Sequence, residues 1–584
     1  MENGNASKRS RNFLTNKNYS MKFTEYAYKR PNLKRVSTNF KKLIEDFSNA
    51  TTFEDAETAV SKINRIRRDF TSMASIGQIR HTINTLDAHY DVENQFYDEN
   101  SPVFEALVMD FYQKLIVSPY RLQLEEKWGK QLFTIAELGI KTFQPSILTL
   151  LQEENKLASE YVKIKASAQI DFQGQTYNLS SIAPFETDSN RATRQAAVEA
   201  KWQFFADNAT AVEKIFDDLV KIRHKIALEL GYKNFVELGY ARMLRSDYNA
   251  EKVANFRKQV KDFIVPIAGR LYERQRKRLG IDKLYFYDED YRFKSGNAKP
   301  KGTPDDILRG ADKMYAELSK DTDKFFRFMR DNDLMDLVAK DGKATGGYCT
   351  FVGKYGAPYI FSNFNGTSGD IDVLTHEAGH AFQVYSSRDA GIFEYHWPTY
   401  EACEIHSMSM EFFTWPWMKL FFAEDTEKYH FAHLTAALQF LPYGVAVDEF
   451  QHFVYENPEV TSSVRNDKWR EIEQKYLPHR NYNGNPFLEG GAFWQKQGHI
   501  FSTPFYYIDY TLAQICAFQF WKKDREDHKN AWKDYVRLCK AGGSQSFLNL
   551  VKLANLRSPF DDGCVESVVG EITKWLDSVD DSQF

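Results

Sequence analysis

Two histidines and a glutamate form the segment of this chain whose spacing best suits chemistry. His376 and His380 are four residues apart, and Glu377 follows the first of them. A helix rises about 1.5 Å and turns about 100° per residue, so the two imidazoles share one face and can converge on one ion. Glu377 lies beside that face and can reach a water on the ion. The segment predicts a zinc site with Glu377 as the base. The alternative is a surface helix with two unconnected histidines.

A catalytic zinc site has three protein ligands and an open position, so one ligand must come from elsewhere. Gln383 and Ser386 occupy the glycine and histidine positions of the extended motif, which argues against a third histidine on the same helix. We expect a carboxylate from a second helix, predicted over 399–413. That segment offers the side chains of Glu401, Glu404, His406 and Glu411. Glu401 and Glu404 share a face, so either can bind the metal while the other supports a ligand.

The zinc helix is predicted to begin near Ser368 to Asp370 and to run to about Arg388. Asp372 lies one turn before His376 and is a candidate for orienting its imidazole. A carboxylate in the first turn of a helix also stabilises the positive end of the helix dipole, which is the alternative role for Asp372.

Composition places the chain among globular proteins. It has 584 residues, 43% of them hydrophobic and 15% aromatic, which is ample for a buried core. The net charge of −4 and the lack of nucleic-acid-binding motifs argue against a nucleic acid partner. No apolar run approaches the ~18 residues that cross a membrane. The five scattered cysteines lack a C-x-x-C pair and suit reduced thiols. We therefore expect a cytoplasmic protein that does not bind membranes.

Helical periodicity dominates the chain. Apolar residues recur at three- and four-residue spacing over 40–49, 53–69, 106–116, 191–230 and 307–337. Four stretches interrupt this pattern. A hairpin is predicted within 166–181, an exposed excursion over 283–304, two strands within 341–369, and either a surface loop or a mobile gate over 478–498. These patterns predict a mainly α fold with a small β-sheet next to the zinc helix.

We divide the chain into three parts. Residues 1–20 are predicted to be a disordered N-terminal extension, because they are polar and basic and lack an apolar core. A loop that precedes a long helical pattern suggests a boundary near 190. Residues 21–190 are then an N-terminal helical domain, and residues 191–584 are the domain that carries the zinc site.

Three segments together resemble the thimet oligopeptidase and oligoendopeptidase F family of zinc metallopeptidases, most closely its bacterial oligoendopeptidase F branch. They are FSNFNGTSGD at 361–370 leading into HEAGH, EIHSM at 404–408, and PFYYIDY at 504–510. The resemblance covers most of the chain from about residue 21. It implies a large helical ellipsoid cut by a deep substrate channel with one zinc ion at its floor. It also selects Glu404 as the third zinc ligand over Glu401.

The resemblance implies roles for residues after the zinc helix as well. His499, Tyr507 and Tyr510 match a histidine and two tyrosines that stabilise the tetrahedral oxyanion, a task that suits neutral donors in a dry site. The spacing from His499 to the tyrosines differs between branches, so Tyr506 can replace Tyr507 or Tyr510. Glu377 accepts a proton from the attacking water and later passes it to the leaving amine.

These residues predict a zinc oligoendopeptidase that cleaves internal bonds of short unfolded peptides. The strand predicted over 359–364 offers an edge to which an extended peptide can add through main-chain hydrogen bonds. A helical zinc carboxypeptidase is the second hypothesis, because it uses a similar motif and channel. The third is an inactive peptide-binding scaffold, which the intact set of ligands and base disfavours. The sequence does not predict the oligomeric state.

Overall fold

The structure is a computed structural model that describes residues 21–584. Helices make up most of this range, and two small sheets contain the strands. The mainly α fold class predicted from the sequence is confirmed. The disordered extension predicted over 1–20 lies outside the described residues.

The helices follow one another with short connections. Before the first sheet they are α1 (Leu33–Ser48), α2 (Phe53–Ile83), α3 (Ala88–Ile116), α4 (Arg121–Trp128), α5 (Gln131–Lys141) and α6 (Leu148–Ala166). Between the sheets they are α7 (Ala183–Glu186), α8 (Arg191–Asp207), α9 (Ala209–Glu229), α10 (Phe235–Arg242), α11 (Ala250–Gln259), α12 (Val265–Leu279), α13 (Pro304–Leu318) and α14 (Lys320–Asp331). After the second sheet they are α15 (Gly369–Ser387), α16 (Tyr400–Phe413), α17 (Lys419–Phe422), α18 (Thr426–Glu456), α19 (Ser462–Tyr476), α20 (Pro486–Glu489), α21 (Gly498–Ser502), α22 (Tyr507–Ala541), α23 (Phe547–Leu553) and α24 (Cys564–Ser578).

Local polar residues set where the predicted helices begin and end. Thr52 Oγ1 accepts a hydrogen bond of 3.1 Å from the Asp55 N–H and so caps the N-terminus of α2. This bond satisfies one of the N–H groups that lack a partner within the helix. The predicted range 191–230 forms two helices, because Asn208 ends α8 and begins α9. The prediction over 307–337 is wrong at its C-terminal end. There, Asp333 has a φ of 52° and turns the chain after α14 into a strand.

Two sheets are present in the described chain. The first is the predicted hairpin, with β1 (Ile170–Phe172) antiparallel to β2 (Gln175–Tyr177). The second contains β3 (Met335–Val338), β4 (Tyr348–Val352) and β5 (Ala357–Phe364) in the order β3-β5-β4. β5 is therefore the central strand, parallel to β3 and antiparallel to β4. The prediction that 359–364 offers a free edge is wrong, because β5 pairs with a strand on each side. The edge strands of this sheet are β3 and β4.

The two stretches predicted as surface segments are largely packed into the protein. In 283–304, Phe293 is fully buried. In 478–498, Tyr482 is fully buried, and Trp494 donates its indole N–H to Asn466 Oδ1 at 2.8 Å. Aromatic residues drive this burial, since each removes a large apolar area from water. Both segments are therefore anchored by buried aromatic residues, while 283–304 is exposed at its C-terminal end, over 301–304.

The buried core is continuous between the two predicted domains. The rings of Phe23 and Tyr359 lie 4.4 Å apart, and those of Tyr161 and Phe501 stack at 3.7 Å. A division at 190 stays a prediction. Among residues 21–584, no helix combines the length and apolar character that crossing a membrane requires.

α18 and α22 cross at very short range. A Cβ on Gly444 of α18 would lie 2.2 Å from Cγ2 of Thr511 in α22. Only a residue without a side chain permits this approach, which fixes the start of α22 against the long central helix.

This crossing predicts the sign of a helix substitution. In an unobstructed helix, alanine is more stable than glycine by about 1 kcal/mol. We expect Gly444→Ala to lower the free energy of unfolding by about 1–3 kcal/mol instead, because the added methyl overpacks the crossing. Denaturant unfolding would measure this.

A matched control is available in Gly570 of α24, where a Cβ would meet no atom within 4 Å. Gly570→Ala should be neutral or stabilising. In a Thr511→Ser background, which removes the opposing methyl, Gly444→Ala should lose most of its cost. Equal costs in both backgrounds would contradict the crossing as the cause.

Candidate metal centre and active site

The candidate centre forms where α15 and α16 touch. Gly379 lies at the contact, and a Cβ there would be 2.6 Å from Ser407 Cα and 2.7 Å from the His406 carbonyl oxygen. The backbones of the two helices therefore meet directly. This approach brings Glu404 of α16 opposite His376 and His380 of α15.

The three predicted metal ligands converge on one point. Glu404 Oε2 lies 3.2 Å from His376 Nε2 and 3.3 Å from His380 Nε2. In tetrahedral coordination with bonds of about 2.0–2.1 Å, neighbouring donors are about 3.3 Å apart. Two imidazole nitrogens and one carboxylate oxygen also match the donor set of catalytic zinc sites. The residues present therefore fit a zinc ion.

Glu404 is held by side chains on both sides. Ser407, one turn further along α16, donates its hydroxyl to Glu404 Oε2 at 2.8 Å. The Tyr506 hydroxyl donates to Glu404 Oε1. Oε2 is thus the oxygen that faces the imidazoles, and Oε1 is occupied by Tyr506. These contacts fix the rotamer of the third ligand before any ion binds.

The partner that orients His376 is Glu411, not Asp372. His376 Nδ1 lies 2.7 Å from Glu411 Oε1, and an N–H there donates to the carboxylate and leaves Nε2 free for an ion. Glu411 Oε2 lies 2.8 Å from His433 Nε2 on α18. Asp372 instead accepts a hydrogen bond of 2.6 Å from the Tyr429 hydroxyl. Glu411 was identified on the second helix from sequence, but its role was not.

Mutual stabilisation of charges is visible in the pKa values. Burial alone would raise the pKa of Glu404, but His380 and His376 hold it well below the usual range. Burial would lower the pKa of His376, but Glu404 and Glu411 raise it well above its ordinary value. The predicted ligands thus stabilise one another's charged forms, and Glu411 stabilises the charged form of His376 from outside the ligand set.

Glu377 has a different environment from that of the ligand carboxylate. It is 6% exposed, and its Oε2 has no hydrogen-bond partner among residues 21–584. A Cβ on Gly347, just before β4, would lie 3.3 Å from Glu377 Oε1, so the strand passes close to this carboxylate. Burial raises the pKa of Glu377 above its ordinary value, although His376 and His380 oppose the shift. A poorly solvated, unpaired carboxylate of this kind is suited to accept a proton.

His499 and Tyr510 are in contact next to the ligands. His499 Nε2 lies 3.1 Å from the Tyr510 hydroxyl. The Gln497 amide lies 2.7 Å from His499 Nδ1, and the Tyr443 hydroxyl donates to Gln497 Oε1 at 3.0 Å. Because the Gln497 NH2 donates to Nδ1, the ring proton of neutral His499 lies on Nε2. Burial, together with the charge of nearby Lys165, lowers the pKa of His499 to about 4, so the ring is neutral near pH 7.

The three tyrosines take different positions. Tyr506 contacts Glu404, and its ring centroid is 5.0 Å from that of Tyr510. Tyr507 packs its ring 5.2 Å from His499 and 5.7 Å from Tyr443, and it makes no hydrogen bond to a ligand within the described chain. Tyr506 therefore contacts the predicted third ligand, whereas Tyr510 contacts His499.

A strained residue fixes this tyrosine segment. Phe505 has a φ of 68°, which a bulky side chain rarely adopts. Its carbonyl accepts from Arg245 Nη2 at 2.6 Å, and its N–H donates to Gln451 Oε1 at 2.7 Å. Arg245 also binds Asp509 Oδ1 at 2.7 Å on the first turn of α22. Arg245 thus pins the chain on both sides of Tyr506 and Tyr507.

Two other polar residues on α16 make no hydrogen bond to the predicted ligands within residues 21–584. Both carboxylate oxygens of Glu401 are buried and find no hydrogen-bond partner within residues 21–584. Burial and the charge of Asp509 raise the pKa of Glu401 above its ordinary value. The same lack of partners holds for both ring nitrogens of His406. The structure therefore separates Glu404 from Glu401 and His406.

Two family profiles match this chain. Residues 23–143 match the profile of the peptidase M3 N-terminal domain, and residues 185–569 match that of peptidase family M3. The chain belongs to peptidase family M3. The resemblance found in the sequence is confirmed, and the protein is a metallo-endopeptidase.

Relatives in this family include solved and curated proteins. A structure of PZ peptidase A with inhibitor 2 is 59% identical, has a TM-score of 0.96, and is matched over 96% of this chain and 100% of that chain. An oligoendopeptidase F homolog from Borreliella burgdorferi is 22% identical over 435 residues, which are 70% of this chain and 71% of the relative. An oligoendopeptidase F homolog from Mycoplasma genitalium is 20% identical over 581 residues and matched over 92% of each chain.

The two acidic neighbours of His376 predict different effects on metal binding in this M3 peptidase. Glu411→Gln removes the charged acceptor from His376 Nδ1, and we expect zinc affinity to fall by about 10–100-fold. Competition with a chromophoric chelator would measure it.

Asp372→Asn is the matched control for this test. It removes a charge from α15 without touching the imidazole, so the affinity should be unchanged. A larger loss for Asp372→Asn than for Glu411→Gln would contradict the assignment of the orienting residue.

Proposed function

We propose that this M3 peptidase is a zinc-dependent oligoendopeptidase that hydrolyses internal bonds of short unfolded peptides, with one zinc ion per chain. The observation that carries this proposal is the convergence of His376 Nε2, His380 Nε2 and Glu404 Oε2 at 3.2–3.3 Å beside the unpaired carboxylate of Glu377. Three ligands leave an open coordination position, which catalysis requires and a structural site lacks.

The chain's residues divide the chemistry between them. When bound, zinc would polarise the scissile carbonyl and lower the pKa of a water at the open position to about 7. Glu377 accepts the proton of the attacking water through its free oxygen. It then carries this proton to the leaving amine, so that one carboxylate acts first as base and then as acid. Its raised pKa suits both steps.

Tyr510 is the proposed donor to the developing oxyanion, and His499 is proposed to act with it by positioning its hydroxyl. Burial, together with the nearby charges of Glu404 and Glu377, raises the pKa of Tyr510 well above its ordinary value, so its hydroxyl keeps its proton. His499 is neutral and orients this hydroxyl at 3.1 Å. Neutral donors stabilise the oxyanion without adding a competing charge in the ground state. Tyr507 has the weaker geometric case, since it packs behind His499.

The edge strand β4 is the proposed docking site for the peptide main chain. The Ile360 N–H of β5 donates to the Leu334 carbonyl, on the side away from β4. Cys349 of β4 lies opposite Ile360, so this is a non-hydrogen-bonded pair and the Cys349 N–H and C=O face away from β5. The Ser75 hydroxyl of α2 donates to the Phe351 carbonyl at 3.4 Å. Within residues 21–584, the backbone N–H and C=O of Cys349 have no hydrogen-bond partner from another element. Main-chain pairing here would place an extended peptide beside Glu377 with little selection of side chains.

The cellular location belongs to the proposal as well. All five cysteines are free, and four of them are buried. Free thiols without disulfide bonds suit a reducing compartment, and we propose the cytoplasm.

Removing the base should separate metal binding from catalysis. We expect Glu377→Gln to retain stoichiometric zinc and to lower kcat by at least about 10²-fold, because only the proton acceptor is lost. Metal analysis and peptide turnover on the same preparation would measure both. Glu401→Gln, which changes a buried glutamate outside the ligand set, is the matched control and should remain active. Full activity of Glu377→Gln would refute the assigned base.

Peptides blocked at both ends distinguish an endopeptidase from a helical carboxypeptidase. We expect N-acetylated, C-amidated peptides to be cut at internal bonds, because the docking strand binds main chain and not a terminus. Mass spectrometry of the fragments, with and without chelator, would locate the cuts. If amidation abolished cleavage of every peptide, the carboxypeptidase hypothesis would replace this one.

A further inference from the structure

Tyr400 places an exposed aromatic ring beside the candidate metal centre. It is the first residue of α16, and Glu404 follows it one helical turn later. Residues four apart lie on the same face of a helix, so Tyr400 shares the face with which Glu404 meets the two imidazoles. The Tyr400 ring centroid is 4.9 Å from that of Tyr506, whose hydroxyl donates to Glu404 Oε1. Tyr400 is thus one side chain removed from a predicted metal ligand.

The accessible surface of Tyr400 continues that of the proposed reacting groups. The ring centroids of Tyr506 and Tyr510 are 5.0 Å apart, and the Tyr510 hydroxyl contacts His499. These three residues are half-buried, and Tyr400 is 39% exposed. Rings in contact, each partly accessible, form a continuous aromatic surface from Tyr400 to the proposed oxyanion donor Tyr510. An extended peptide advances about 3.3 Å per residue, so Tyr400 lies within about three residues of a carbonyl held by Tyr510.

The exposed ring of Tyr400 lies in a recess. Burial raises the pKa of Tyr400 above its ordinary value, and the nearby Cys403 and Asp509 add to the shift. A ring on a convex surface would be hydrated and would show little desolvation. Single exposed apolar residues are normal on a protein surface and need no function. Tyr400 differs from these, because it is partly enclosed and continues the surface of the proposed site, so a ligand can cover the part that the protein leaves open.

We propose that Tyr400 determines specificity by contacting a large apolar or aromatic side chain of the peptide substrate near the scissile bond. The inference rests on the proposed function and adds a substrate class to it, namely short peptides with a large apolar residue close to the cut. A tyrosine ring offers an apolar face that packs against aromatic and aliphatic side chains. The edge of β4 binds main chain and selects little among side chains, so Tyr400 supplies a preference that the strand lacks.

The test compares matched quenched fluorescent peptides that are blocked at both ends. Each pair carries phenylalanine or alanine at one position, and this position moves residue by residue along both sides of the cut. Mass spectrometry confirms that both members are cut at the same bond. We expect kcat/KM to be about tenfold higher for the phenylalanine member of at least one pair, the size of a good aromatic contact. In Tyr400→Ala this ratio should fall close to one, while Tyr400→Phe should keep most of it because the ring remains.

A change of preference distinguishes a specificity role from damage to the site. Tyr400→Asp places a carboxylate in the first turn of α16, where the helix dipole favours a negative charge. It should lower kcat/KM for phenylalanine and raise it for lysine, relative to alanine, at the same position, a gain that misfolding cannot produce. Val464→Ala removes a side chain of similar exposure, 42%, from α19 and should leave every ratio at its original value. The zinc content of each variant reports whether Glu404 stays in place.

Binding without turnover keeps this inference separate from the proposed function. Fluorescence anisotropy of labelled phenylalanine and alanine peptides on Glu377→Gln should show the same preference, and its loss when Tyr400→Ala is added. If no peptide is cut by the unmodified protein, the proposed function fails and the binding data still test Tyr400. Equal affinities and equal kcat/KM within every pair, a preference unchanged in Tyr400→Ala, or an equal loss for all peptides in that variant would overturn the assignment of Tyr400.

Discussion

The active site depends on the direct backbone contact between α15 and α16 at Gly379. A side chain there would collide with Ser407 Cα and the His406 carbonyl, which are backbone atoms and cannot rotate away. Separating the helices by the width of a methyl group would draw Glu404 away from both imidazoles. Metal coordination tolerates only a few tenths of an ångström in ligand distance. One missing side chain in the helix contact thus controls the geometry of the whole centre.

A second set of contacts brings the tyrosine segment to this centre. Gly444 lets α18 and α22 touch, and Arg245 binds both the strained Phe505 and Asp509. A left-handed conformation at a bulky residue costs of order 1–3 kcal/mol and persists only when its surroundings hold it. Here it lies in the turn that the Tyr506 N–H closes onto the Thr503 carbonyl, directly before the residues with which Tyr506 meets Glu404 and Tyr510 meets His499. The strained backbone at Phe505 thus helps to fix the positions of the Tyr506 and Tyr510 hydroxyls.

The sequence predicted those features that depend on neighbours along one element. The spacing of His376 and His380, the helical pattern of α16 and the Gly-rich approach to β5 are local, and they correctly placed the helix that carries the two histidines. Glu411 was within reach of the same reasoning. It is seven residues after Glu404, two helical turns, and therefore lies on the same face.

Features that join distant segments could not be read in this way. The pairing of β3 with β5 was hidden because Leu337 continues an apolar pattern that also fits a helix. Strand order, and with it the edge at β4, depends on which segments meet in space.

The balance of charge explains why this cluster should attract a divalent cation. Four carboxylates belong to this region of α15 and α16, those of Asp372, Glu377, Glu404 and Glu411. Glu404 and Glu411 contact the imidazoles of His376, His380 and His433, whose charges also act on Asp372 and Glu377. Neutral imidazoles cannot compensate four negative charges, and protonating them would remove the lone pairs that bind metal. The pKa of Asp372 is raised to about 6 and that of Glu377 is raised too, in both cases chiefly by burial and also by neighbouring carboxylates. A dication among the three ligands would relieve this excess and leave Glu377 ionised. The same ion that activates water would therefore also supply the positive charge that makes its proton acceptor available.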